Sequence, residues 1–204
     1  MLYNQGMALK QIELSTRRIE ALTDGIYAFA MTLLMLSFDV PGTLKGIDPG
    51  RFIISQSDRF LNYFTCFALL AIFWMANNRI FHHIKKTDSK HMWLSVITLM
   101  FVVFLPFSTS LISQNPDKPA GEFFFALNIF LVSMSSQLAW VYATQGRRLV
   151  SEESEEEHLK HGVKVGWVSP VVACLAMATA FIQPVLCSYT YFLIPAIIWL
   201  PWFK

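Results

Sequence analysis

The sequence predicts an all-α integral membrane protein, a bundle of six spans, and three observations carry that reading. Of the 204 residues 54% are hydrophobic, eighteen of them phenylalanine, a composition hard to keep dispersed as a soluble domain. Several apolar runs outlast an ordinary core helix and match the hydrocarbon thickness of a bilayer, roughly 30 Å. Short charged or turn-forming links separate the runs, and basic residues concentrate on alternate links. The same survey argues against other classes. The spans hold no His-Glu-x-x-His, no Gly-x-Ser-x-Gly and no convincing carboxylate pair, so an enzyme is not expected. A formal charge of +2 gives no reason to expect nucleic acid.

The first span covers about residues 18–40, after the basic pair Arg17–Arg18 and before Pro41–Gly42. Between Gly25 and Phe38 it holds no ionisable carboxylate or amine. At about 100° per residue, Gly25, Phe29, Thr32 and Leu36 share one stripe, with Leu33 at its edge. Asp24 points elsewhere, toward the side of Ala28, Met31 and Met35. It stands six residues from Arg18, whereas intrahelical pairs work at three or four, so its partner must come from another helix.

The rest follows in order. Residues 41–57 carry turn formers and a short apolar patch, an exposed loop with an interfacial piece. Further spans are expected at about 60–81, 92–112, 123–144, 165–182 and 186–202, all in one transmembrane domain over 1–204. The last is short and interrupted by Pro195 and Pro201, which leaves five spans as the alternative. With six spans and a cytoplasmic amino terminus, twelve basic residues fall inside: Lys10, Arg17, Arg18, Arg79, Lys85, Lys86, Lys90, Arg147, Arg148, Lys160, Lys164 and Lys204. Only Lys45, Arg51, Arg59 and Lys118 fall outside, which places both termini in the cytoplasm.

Residues 1–17 lack an apolar core, so no cleavable signal peptide is expected. Cys66, Cys174 and Cys187 lie in or beside apolar runs and read as free thiols. His82, His83, Asp88 and His91 read as loop residues at the headgroups rather than metal ligands, and no metal or cofactor is expected. The glutamates at 152–157 read as a solvated helix end, with Glu156 and Lys160 at pairing distance; the sharper alternative is a cation-attracting vestibule. The six tryptophans mostly sit near span ends, as interfacial anchors do.

Three elements together resemble one family. Arg18, Leu22, Thr23 and Asp24 follow its opening pattern Arg-x-x-x-Phe-Ser-Asp, with leucine and threonine keeping the apolar and hydroxyl characters. Trp74 stands where its second helix carries tryptophan, although Asn77–Asn78 replace the usual histidine pair. Leu105-Pro106-Phe107-Ser108 matches an element near the end of its third helix. On these residues the chain resembles the transmembrane protein 175 family of potassium channels, in its single-repeat prokaryotic form.

The resemblance implies a homotetramer in the cell membrane whose four first helices line a central pore, without a re-entrant selectivity loop. It implies constrictions at Phe29, Thr32, Leu33 and Leu36, with phenylalanine at 29 where isoleucine or leucine is usual. Arg18, Leu22, Thr23 and Asp24 would anchor the first helix, with Trp74, Asn77 and Asn78 as a supporting network. The expected activity is a potassium-permeable cation channel with modest selectivity over sodium, its partners being monovalent cations, lipid and its own copies. A secondary transporter or a non-conducting membrane scaffold is the alternative, but the chain shows no convincing internal repeat and its first span is unbroken.

Overall fold

The computed structural model describes residues 16–38, 48–114, 118–151 and 153–198. Expectations about residues 1–15, the loop 39–47, Glu152, Trp199 and Trp202 lie outside the described residues. The rest is helical: α1 (Thr16–Leu33), α2 (Pro49–Ser55), α3 (Ser57–His83), α4 (Ser89–Gln114), α5 (Pro119–Thr144), α6 (Glu156–Gly166), α7 (Val168–Ala180), α8 (Pro184–Thr190) and α9 (Leu193–Ile198). Short 3₁₀ turns at Leu34–Ser37 and Gln145–Arg147 extend α1 and α5. Five helical segments among the described residues are long and apolar enough to cross a membrane: Thr16–Leu36, Ser57–His83, Ser89–Gln114, Pro119–Arg147 and Glu156–Ala180. This is a multi-pass membrane protein.

The expected sixth span, 186–202, takes a different form. Its described part divides into α8 and α9 at Tyr191–Phe192, with Pro184 opening α8 and Pro195 inside the first turn of α9. The apolar run Leu186–Ile198 would rise only about 20 Å as one helix. The fifth span also differs, because helix begins at Glu156 within the charged link, nine residues before the expected 165. Glu156 and Glu157 favour a helix N-terminus, and Lys160 pairs with Glu156 one turn on, Nζ to Oε1 2.6 Å.

The core forms where α5 packs between α4 and α7, with α1 laid against α4 and flanked by α3. Val102 and Leu105 of α4, Phe125, Ile129 and Val132 of α5, and Leu69, Leu70 and Phe73 of α3 are buried together. Ala173, Ala176 and Ala180 line the buried stripe of α7, and side chains this small let the backbones approach. Pro106 interrupts α4, since its nitrogen cannot donate and its ring crowds the carbonyl one turn back. Asn128 of α5 meets that turn. With its amide oriented to satisfy both ends, its nitrogen donates to Phe101 O (3.1 Å) and its oxygen accepts from Leu105 N (3.2 Å).

A second, smaller cluster joins Ile84, Trp140, Ala143, Leu149, Val150 and Leu159 at the opposite end of α5 from Glu122. Gly162 and Gly166 face Trp140 and Gln137 so closely that a Cβ at either would press on those side chains. The approach lets Gln137 Nε2 donate to Val163 O (2.9 Å), fastening α6 to α5.

Candidate functional site

The first helix has two faces, and this protomer covers only one. Ile19, Thr23, Tyr27, Ala30 and Leu34 recur every three to four residues and are buried against α3 and α4. Leu22, Gly25, Phe29, Thr32 and Leu36 form the other stripe and are exposed, Phe29 by 60% and Leu36 by 77%. Leu33, half-buried, sits at the edge. The exposed stripe steps 3, 4, 3, 4, with Leu36 carried by the 3₁₀ turn that follows α1. Thr32 donates its hydroxyl proton to Phe29 O (2.7 Å), so its remaining lone pairs stand ready as acceptors.

The motif at the start of α1 divides its work. Asp24 finds the interhelical partner that its spacing required: Trp74 Nε1 of α3 donates to Asp24 Oδ1 at 2.8 Å. Thr23 is buried but donates within its own helix, to Ile19 O (2.8 Å). Arg18 is exposed and makes no hydrogen bond to Thr23 or Asp24. Leu22, exposed by 47%, belongs to the uncovered stripe.

Asn77 Nδ2 donates to the Tyr27 hydroxyl and to Phe73 O, each at 3.0 Å, while Asn78 makes no side-chain hydrogen bond among the described residues. Tyr27, 1% exposed, is the supporting residue that the sequence reading missed. Its place one turn beyond Thr23 on the buried stripe was the available signal.

The comparisons with known proteins agree over the same residues. The family described as endosomal/lysosomal potassium channel TMEM175 matches residues 18–106, from Arg18 to Pro106. A potassium channel of Chamaesiphon minutus is 27% identical over 173 residues, covering 82% of this chain and 85% of that protein. The crystal structure of a lysosomal potassium-selective channel TMEM175 homolog from Chamaesiphon minutus superposes with a TM-score of 0.78 at 25% identity, covering 88% of this chain and 93% of that one. The chain is similar to the TMEM175 family in sequence and in fold. The human endosomal/lysosomal proton channel TMEM175 is 31% identical over 142 residues; the match takes in 64% of this chain and 28% of that longer protein. These TMEM175 relatives are ion channels, not enzymes.

Away from the uncovered stripe, the chain builds a polar clamp where loop residues at the headgroups were expected. Thr87 and His91 are buried and face each other, Oγ1 to Nδ1 2.9 Å. Asp88 caps α4 by accepting from the backbone N–H of His91 (2.8 Å), and its other oxygen accepts from the Tyr142 hydroxyl of α5 (2.6 Å). The Arg148 guanidinium lies 4.7 Å from the centre of the Tyr142 ring. The link folds inward because the flanking backbone is paired: Ser151 N donates to His83 O and Lys85 N to Leu149 O, each at 3.0 Å.

Burial pushes the Asp88 carboxyl up, but the His91 N–H and the Tyr142 hydroxyl outweigh it and hold the group below the usual aspartate range. A lowered value in the folded state means that Asp88 stabilises fully above its unfolded value and ceases to do so only as pH falls through the folded one. Thermal unfolding in detergent should therefore show this clamp intact from neutral pH to about pH 4. Tyr142→Phe should cost about 1 kcal/mol at neutral pH and diminish the acid-side dependence. An unchanged melting midpoint in that variant would remove Tyr142 from the clamp.

One more polar residue escaped the sequence reading. Glu122 lies in the first turn of α5 and is only 4% exposed; Ser188 of α8 donates to its Oε1 (3.4 Å), tying the divided last segment to α5. Pro119 at the first helical turn, with an acid three residues on, is a helix-start signature that places this residue inside α5 rather than before it.

Proposed function

We propose that the chain is a potassium-permeable cation channel, a homotetramer whose four α1 helices line a central pore with their uncovered stripes. The supporting observation is that stripe, an apolar seam with one hydroxyl layer that this protomer leaves open while burying the other side of the same helix. One α1 per chain cannot enclose a pore, so several copies must meet. The naming of the relatives as potassium channels supports the ion.

In this reading Phe29 and Leu36, with Leu33 beside them, form apolar rings that close by dewetting, and opening widens them until water returns. Thr32 lies between the rings and offers hydroxyl oxygens to an ion that has shed part of its shell. Potassium sheds water more readily than sodium, so a single hydroxyl layer gives a modest preference. Arg18, Leu22, Thr23 and Asp24 set the base of the helix, with Asp24 held by Trp74 and Tyr27 by Asn77. Both termini face the cytoplasm of a cell membrane, as the distribution of lysines and arginines argues.

The test is purified protein in mild detergent and in liposomes. A tetrameric mass and potassium flux are expected from the unaltered chain. Thr32→Ala should move the reversal potential under opposed potassium and sodium gradients toward zero while sparing assembly. A monomer that is active alone, or a reversal potential indifferent to Thr32, would overturn the pore.

A further inference from the structure

We propose that the small cavity where α1, α3, α4 and α5 meet binds one water molecule. The water joins the Thr87–His91 pair to the Asn77–Tyr27 pair that holds α1. The inference goes beyond the channel reading and does not depend on whether ions pass along the exposed stripe.

Four helices build a polar wall: Thr23 from α1, Asn77 from α3, His91, Ser95 and Thr98 from α4, and Ser136 from α5. Phe81, Leu99 and Ala139 are among the apolar residues that close the remainder. The cavity measures about 10 Å³, which is room for a single water and no larger ligand. Among the described residues no carboxylate lines it, so nothing in the wall offsets the charge of a cation.

The hydrogen bonds already made in the wall define what the ligand must offer. Thr23, Ser95 and Thr98 donate their hydroxyl protons within their own helices, to Ile19 O (2.8 Å), His91 O (3.0 Å) and Leu94 O (3.0 Å). Their oxygens can therefore only accept from the cavity. Asn77 uses its amide nitrogen on the Tyr27 hydroxyl and Phe73 O, and its oxygen accepts from nothing among the described residues. Ser136 makes no side-chain hydrogen bond among the described residues, and His91 engages only Nδ1, with Thr87 (2.9 Å). A wall this rich in acceptors suits a small donor of two protons. Water supplies both and accepts in turn from the Ser136 hydroxyl or from His91 Nε2. No direct hydrogen bond joins His91 to Asn77 among the described residues, so the water makes that connection and ties α1 to α4 and α5.

Radiolytic hydroxyl labelling of the full chain in detergent tests the site, because an X-ray pulse turns a bound water into a hydroxyl radical that oxidises the side chain beside it. Phe81 lines the cavity and Phe125 does not, and both are buried, 8% and 2% exposed. Phe81 should be oxidised several-fold faster than Phe125. Ala139→Val, which adds bulk to the wall, should bring Phe81 down to the Phe125 level. Ser136→Ala should lower the melting midpoint, since it removes a partner of the water; in a dry cavity, loss of an unpaired hydroxyl would raise the midpoint or leave it unchanged. Equal oxidation of the two phenylalanines, labelling of Phe81 that persists in an assembled Ala139→Val protein, or a midpoint that Ser136→Ala does not lower would each overturn the site. Should Ala139→Val not assemble, the comparison of Phe81 with Phe125 in the unaltered protein decides. None of these readouts measures ion flux, so the channel and the water site stand or fall separately.

Discussion

Leu36→Ala and Phe29→Ala should each raise potassium flux through liposomes, by about tenfold where the ring removed is the narrowest point. The barrier at an apolar constriction is the cost of emptying it of water, and that cost falls as the ring widens. A reduction of only about 1.4 kcal/mol accelerates passage tenfold. The two are the large apolar side chains on either side of Thr32 on the uncovered stripe, and about 10 Å of helix separates them. Whichever ring governs conduction, its alanine variant should show the larger increase. Leu34→Ala supplies the contrast, because Leu34 is fully buried on the other face of the same helix. It should cost about 2–5 kcal/mol of stability without widening anything that ions traverse. Single-channel conductance separates the two effects from expression level. Unaltered conductance in both ring variants would sink the assignment of this face to the pore.

Asn128→Leu should be the most damaging single change outside α1. Pro106 leaves a broken turn in α4, and the Asn128 amide meets a carbonyl and an N–H there at once. At membrane depth no water replaces it, and each exposed backbone group costs on the order of several kcal/mol. Loss of both should lower the melting midpoint sharply and reduce the yield of assembled protein. Asn128→Gln should not restore it, since the longer amide overfills the gap. Pro106→Ala in the Asn128→Leu background should rescue in part by remaking the helical bond. An unaffected midpoint in Asn128→Leu would show that the turn needs no such partner.

Much of this molecule can be read from its sequence because hydrocarbon imposes simple demands. Four spans emerge within a few residues of their helices, since an apolar run ends where charged or turn-forming residues begin. The uncovered stripe of α1 is legible from helical periodicity alone, as is the need of Asp24 for a partner on another helix. Less legible is whatever depends on the third dimension. The glutamates near 156 look like a link, yet they start a helix because Gly162 and Gly166 let it lie against α5. Thr87, Asp88 and His91 look like loop residues until Tyr142, more than fifty positions on, closes over them. Asn128 reads as a loose polar match, and only its position against Pro106 gives it a task.

The one-sided burial of α1 has a consequence for how such a protein diversifies. Side chains that hold the chain together and side chains left facing outward occupy separate stripes of one helix. Exchange at position 29 or 36 leaves the interior of the protomer untouched. Such an exchange needs no compensating change among the side chains buried within the chain. The buried and the exposed stripe are free to evolve at different speeds.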